Sequence, residues 1–196
     1  GWDSVDEDSR AIDSASVDIM PFTISNNEIY NFNTGIVIRN ASTATAADAS
    51  IISNNIIACK HNTASAGDSD GISIIGVGDW QYYLTISGNT VTGFAENAID
   101  LVGASNVIVE YNVIRDYAPT AVVAGAAILL GNSGGGQTGN IARYNSVDGM
   151  DNGGLTTPSV GVGSRGGVDC KVYGNIITNC EWAIYNASSG SNNNQY

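Results

Sequence analysis

The sequence predicts an all-β chain built as a stack of coils. Three observations predict it. A six-residue motif recurs six times along 196 residues. Apolar residues alternate with period two, and no stretch sustains the i, i+3, i+4, i+7 stripe of an amphipathic helix. The composition is rich in glycine (24 residues) and only 13% charged, which suits short strands joined by many turns.

The motif is a β-branched or small apolar residue, two variable residues, Asn, one variable residue, then Ile or Val. Its copies run Ile24 to Ile29, Ile52 to Ile57, Ile86 to Val91, Val109 to Ile114, Ala142 to Val147 and Val172 to Ile177. The asparagines are Asn27, Asn55, Asn89, Asn112, Asn145 and Asn175. Repeats of this length define a solenoid before any local reading does. A second motif follows each copy: a small residue, then alternating apolar positions, as in Gly35-Ile36, Gly71-Ile72, Ala98-Ile99, Ala127-Ile128 and Ala183-Ile184, with Val160-Gly-Val162 in the fifth. Each unit therefore reads as two constant strands joined by a turn of variable length. An asparagine at one corner of every unit predicts a ladder of side-chain amides, each bonded to the next along the stack.

On these repeats the chain resembles the right-handed parallel β-helix, the fold of pectate lyases and phage tailspikes. The resemblance spans roughly residues 10 to 188 and implies about seven coils with an asparagine ladder. It reaches the fold and no single family: the catalytic signatures of pectate lyases, galacturonases and mannuronan epimerases are absent, so no family's catalytic residues carry over. The whole of 1–196 reads as one β-helix domain with a loose polar tail over 189–196. Ala11-Ile12-Asp13 resembles Ala98-Ile99-Asp100, so the sequence opens partway through a coil. It reads as a segment of a longer protein, or as one that associates at its ends, because a terminal coil leaves strand edges unpaired.

Charge narrows the partners. Nineteen acidic residues stand against seven basic ones, a net charge of -12. A nucleic-acid partner needs a basic face. No apolar run approaches the ~18–20 residues of a membrane span. The acidic bias and scarcity of lysine suit an extracellular or virion-surface protein, and the resemblance implies a polysaccharide partner. Cys59 lies about four coils from Cys170 and Cys180, too far to bridge to either. Those two either pair or remain buried free thiols, as Cys59 does.

A β-helix carries its site in a surface groove walled by turns that lengthen on one side. The long turns are Ala58 to Asp70, Arg115 to Ala126 and Asp148 to Ser159, with the short turn Thr92 to Asn97 between the first two. Two walls around a lower floor suit an extended polysaccharide. Ionisable residues gather there, and three readings follow. Glycoside hydrolysis needs two carboxyl groups across the scissile bond, about 5 Å apart for retention or 6.5–9.5 Å for inversion. Glu96, Asp100, Asp116 and Asp148 are the candidates, and crowding in a cleft supplies the raised pKa that one of them needs. Lyase or epimerase chemistry on a uronic acid needs a base and a cation that neutralises the sugar carboxylate. Lys60, Arg115, His61 and Tyr117 are its candidates, with Asp68, Asp70 and Asp100 as oxygen ligands for Ca²⁺. The third reading is a binding or structural solenoid, with the aromatic turn Trp80, Tyr82 and Tyr83 available to sugar faces. Tyr111 and Tyr144 are expected to stack across coils, and Glu110 to pair with Arg143. The acidic groove tips the balance to hydrolysis.

Overall fold

The computed structural model describes residues 9–14, 21–39, 47, 49–59, 69–118, 125–131, 137–150, 158–187 and 194–196, and the side chains of 77–81 lie outside that description. The described chain is a parallel β-helix of three sheets. The first has seven strands: β1 (Arg10–Ser14), β4 (Thr34–Arg39), β7 (Ile72–Gln81), β10 (Asn97–Ser105), β13 (Ala126–Leu129), β16 (Val160–Ser164) and β19 (Trp182–Asn186). The second holds β2 (Thr23–Ser25), β5 (Ser50–Ser53), β8 (Leu84–Ser87), β11 (Ile108–Glu110), β14 (Ile141–Arg143) and β17 (Lys171–Tyr173). The third holds β3 (Glu28–Phe32), β6 (Ile56–Cys59), β9 (Thr90–Thr92), β12 (Val113–Arg115), β15 (Ser146–Met150) and β18 (Ile176–Cys180). Every strand pairs in parallel with the strand three places away in sequence, as Ile36, Ile72, Ile99, Ile128, Val162 and Ile184 show by lying in register. Among the described residues no helix is long and apolar enough to cross a membrane.

Among the described residues six coils have three strands each, where the sequence reading gave two. The six-residue motif is not one strand: it bends at its asparagine, with its first half in the second sheet and its second half in the third. The residue just before each ladder asparagine has positive φ, between 55° and 67°: Asn26, Asn54, Gly88, Tyr111, Tyr144 and Gly174. A left-handed residue turns the chain sharply, and Asn and Gly adopt it most easily. Periodicity alone does not see this corner, because the apolar residues on its two sides both point inward.

The corner is sealed by the predicted ladder. Asn27 donates from both its backbone N–H and Nδ2 to Asn55 Oδ1, at 3.0 and 2.9 Å. The same double donation runs from Asn55 to Asn89, Asn89 to Asn112, Asn112 to Asn145 and Asn145 to Asn175, all within 2.9–3.0 Å. Each Nδ2 from Asn55 onward also reaches a backbone carbonyl, Ile24 O for Asn55 and Ile86 O for Asn112. Asn55, Asn89, Asn112 and Asn145 are buried with their amide groups bonded on both sides, so their burial carries no unmet polar group.

A second, shorter asparagine column stands where the first sheet meets the second. Asn140 Oδ1 accepts from Val107 N–H and its Nδ2 donates to Ala104 O. Asn194 repeats this with Cys170 N–H and Gly167 O. Gln195 then bridges Lys171, so Asn194–Tyr196 extend the second sheet past β17.

Where the small residue that opens the second motif is glycine, it has a steric cause. A Cβ on Gly35 would meet Ile57 Cγ2, and one on Gly161 would meet Ile177 Cγ2, each at 2.5 Å. The first strand of a coil starts pressed against the third sheet. Inside lies a continuous aliphatic column in which Ile36, Ile72, Ile99 and Ile128 have no exposed surface.

Candidate functional site

The outer face of the seven-stranded sheet is where the repeat breaks down. Inward positions carry Ile or Val in coil after coil. The outward column that contains Asp100 reads Asp13, Val37, Ser73, Asp100, Leu129, Gly163 and Tyr185 across the sheet. A second outward column runs through Arg10, Thr34, Asp70, Asn97, Ala126, Val160 and Trp182. The first four strands thus present charged and hydroxylic groups, and the last three present apolar ones. Ala126, Leu129 and Val160 form a small cluster with Tyr185, separate from the interior, and Trp182 packs on Tyr185 at 4.7 Å between ring centroids.

Asp70 sits just ahead of β7, and Asp100 in β10, one strand on. Both are buried, at 6% and 5% exposure. Asp70 Oδ1 accepts the Asn97 N–H at 3.0 Å, and Asn97 Oδ1 accepts the Ala126 N–H at 3.1 Å. One position of the column therefore caps the start of the next strand, with aspartate in one coil and asparagine in the next. Burial first, then the charges of Asp100 and Glu96, push the Asp70 carboxyl well above the usual carboxylate range, against the opposing hydrogen bonds from Asn97 N–H and Ser73. Asn97 Nδ2 faces Asp100 Oδ2 at 3.5 Å. Glu96, half-buried on the short turn before β10, is the member of the group nearest to solvent.

Three of the sequence candidates therefore meet, Asp70, Glu96 and Asp100, with the charges of the other two acting on Asp70. The others are dispersed. Asp116 is a corner residue with φ 58° and a side chain 71% exposed, 3.7 Å from Arg115. Arg115 and Asp148 stand on the outer face of the third sheet, in neighbouring strands. Asp148 accepts hydrogen bonds from Thr178 and Asn179, which hold its carboxyl below the usual range. Tyr82 is withdrawn into the core, its hydroxyl donating to Ile75 O at 3.1 Å. Tyr117 is nearly buried against Phe94, and burial raises its hydroxyl to about 12. Lys60, His61 and Asp68 lie outside the described residues, as do the side chain of Trp80 and most of the three long turns read as groove walls. Among the described residues no three His, Cys, Asp or Glu side chains are placed to hold a metal ion.

Two groups at this face were not singled out from the sequence. Arg10 and Arg39, with Thr34, Val37, Asp70, Ser73 and Ile75, line a hollow of about 70 Å³ on the outer face. Asp13 lies between the two arginines, 3.2 Å from Arg10 Nη1 and 3.6 Å from Arg39 Nε. Aligning the copies on their inward isoleucines would have put Asp70 beside Asn97 and Ser73 beside Asp100, so the signal was present in the repeat. The three cysteines are free thiols, with burial raising Cys59 to about 12 and Cys170 to about 11. The expected cross-coil contacts are present: Tyr111 stacks on Tyr144 at 5.4 Å, and Arg143 Nη2 meets Glu110 at 2.6 Å.

Comparison of the chain with protein families, with curated proteins and with solved structures finds no match in any of the three.

Proposed function

We propose that this is an extracellular, polysaccharide-acting β-helix protein of the broad type to which pectate lyases and tailspikes belong. In this reading the Asp70–Asp100–Glu96 group hydrolyses a glycosidic bond. One observation carries it. Asp70 holds a capping position that Asn97 fills equally well one coil on, yet Asp70 is an acid buried against two others. A neutral amide would serve the fold at lower electrostatic cost. A carboxyl that keeps its proton beside one that has lost it is the acid–base pair that glycoside hydrolysis requires. Asp70 is then the proton donor to the leaving oxygen. Asp100 or Glu96 is the ionised partner that activates water or attacks the anomeric carbon.

A second reading, a non-catalytic glycan-binding or structural solenoid, is favoured by the 5–6% exposure of Asp70 and Asp100. One assay separates the readings. The chain is incubated with neutral and acidic polysaccharides while reducing ends and the ultraviolet absorbance of unsaturated products are followed together. Hydrolysis gives reducing ends alone, and whichever of Asp100→Asn and Glu96→Gln removes the ionised partner then lowers the rate at least ~10²-fold with the fold retained. Rising ultraviolet absorbance would move the chemistry to elimination. Neither signal, on any substrate, leaves the binding reading.

A further inference from the structure

We propose that Asn97 is the positioning residue of the acid group, and that its side chain selects Asp100 as the carboxylate that works ionised. The role of Asp100 in catalysis rests on the hydrolytic reading above. The hold of Asn97 on Asp100 does not.

Asn97 meets the two aspartates with different atoms. Its backbone N–H donates to Asp70 Oδ1 at 3.0 Å, and its side-chain Nδ2 faces Asp100 Oδ2 at 3.5 Å. The orientation of the amide is forced. Its Oδ1 accepts the Ala126 N–H at 3.1 Å, and a reversed amide would set donor against donor there. Asn97 is 3% exposed, so water has little access to Nδ2. A donor fixed in a buried place favours the charged form of the acceptor it faces. At 3.5 Å the contact is long for a hydrogen bond. Contacts of this kind are often long in a free enzyme and tighten in the complex with substrate. The adjacent coils place Thr34 and Ala126 in the column of Asn97 and Asp70, so stacking alone does not require an amide here.

The surroundings leave the choice between the two acids to hydrogen bonds. Ser73 and Leu129, the register partners of Asp100 in β7 and β13, carry no charge. Arg10 and Arg39 line the hollow with Asp70, and both pair with Asp13. Cys59, whose Sγ meets Asp70 O at 3.5 Å, and Tyr117 are each raised to about 12 by burial and stay neutral. What remains is repulsion among acids. Asp70 and Asp100 oppose each other's charge, and Glu96 adds its own against Asp70. Two acids that repel ionise in turn, and a donor aimed at one of them decides the order. Asp70 has donors of its own, the Asn97 N–H and Ser73, and still keeps its proton, because burial and both acidic neighbours outweigh them. Asp100 therefore ionises first, and the donor that faces it is the Asn97 amide. This gives Asp100 the ionised role and leaves Glu96, nearer to solvent, to keep Asp70 protonated.

The test reads the carboxyls directly, in the whole chain and without substrate. The side-chain carboxyl ¹³C resonances of Asp70, Glu96 and Asp100 are followed against pH in the wild type, Asn97→Thr and Asn97→Ala. Thr and Ala are residues that this column already carries, as Thr34 and Ala126. Both variants lose the Nδ2 donor without adding charge, and neither alters the backbone N–H that meets Asp70. In the wild type Asp100 should ionise at a lower pH than Asp70. In the variants its midpoint should rise by at least ~1 pH unit, tenfold in proton affinity, while that of Asp70 falls towards it. Asp70 ionising first in the wild type, or an Asp100 midpoint unmoved in the variants, overturns the proposal. So does a drift of both midpoints in one direction, which a loosened fold would produce. Where a polysaccharide is cleaved, the acid limb of the pH–rate profile should move up with the Asp100 midpoint, with the plateau KM unchanged. A limb that stays put while Asp100 moves removes Asp100 from the ionised role. A shifted Asp100 in a chain that cleaves nothing sinks the hydrolytic reading and keeps the hold of Asn97, whereas cleavage with an unmoved Asp100 does the reverse.

Discussion

Two regions of this molecule bury polar side chains, and they do it in opposite ways. At the corner between the second and third sheets, six asparagines occupy one position in six coils, each neutral and each bonded to its neighbour. On the outer face of the seven-stranded sheet, the buried polar groups change from coil to coil, carry charge and work against one another. In a solenoid, identical coils impose identical solutions wherever the only task is stacking. A buried polar group that repeats is therefore scaffold. One that interrupts its column, at an electrostatic cost, marks something other than stacking.

The comparison can be broken most forcefully at the ladder. Asn112→Ala removes the acceptor for Asn89 N–H and Nδ2 and the donor to Ile86 O and Asn145 Oδ1. Several buried groups are orphaned at about 1–3 kcal/mol each. A loss of ~3–5 kcal/mol in guanidinium denaturation is expected, enough to unfold a marginal chain. Asn27→Ala, at the end of the ladder and only half-buried, should lose far less. Equal losses at both positions would mean that the ladder is not a cooperative stack.

The acid group should respond in the opposite sense. Asp70 has an unfolded pKa near 3.9 and a folded value held well above that. Below pH ~4 the group is protonated in both states. As pH rises through the unfolded value, the unfolded chain gives up its proton first, so this contribution to stability falls until the folded value is passed. Asp70→Asn keeps an Oδ1 acceptor for the Asn97 N–H and removes the penalty. The variant should melt above the wild type at pH 7, by a margin that closes towards pH 4. Between those limits the margin changes by at most ~1.4 kcal/mol per pH unit. A variant less stable than the wild type at pH 7 would show that the charge of Asp70 serves the fold.

The same contrast explains how much could be read from the sequence. The parallel β-helix and its asparagine ladder were legible because they repeat, and so were the Tyr111–Tyr144 stack and the Glu110–Arg143 pair, which occupy equivalent positions in adjacent coils. The third strand was missed because the bend at each asparagine keeps apolar residues inward on both sides. In the candidate site, Glu96 and Asp100 were found as acids on or beside a short turn. Asp70 was grouped with Asp100 only as a Ca²⁺ ligand, and its capping of Asn97 depends on a register that puts residues 27 apart in sequence side by side. Arg39 gave no motif at all. Its pairing with Asp13 depends on the register that sets β1 beside β4.

The smallest expected effect sharpens the rule at its edge. At the corner position ahead of the ladder asparagine, four coils use Asn or Gly, and two place a tyrosine in the left-handed region, Tyr111 and Tyr144 at φ 56°. A bulky residue there costs about 1–2 kcal/mol relative to an ordinary conformation. The 5.4 Å stack between the two rings returns about 0.5–1.5 kcal/mol. Tyr111→Asn exchanges one term for the other, in a residue type that coils one and two already use. Its stability should stay within about 1 kcal/mol of the wild type, read from the denaturation midpoint. A loss well beyond that would mean that Tyr111 holds the corner itself. A neutral result would leave its 59% exposed ring as a departure from the column that stacking does not require. By the same rule that singles out Asp70, that ring becomes the next surface to test against sugars.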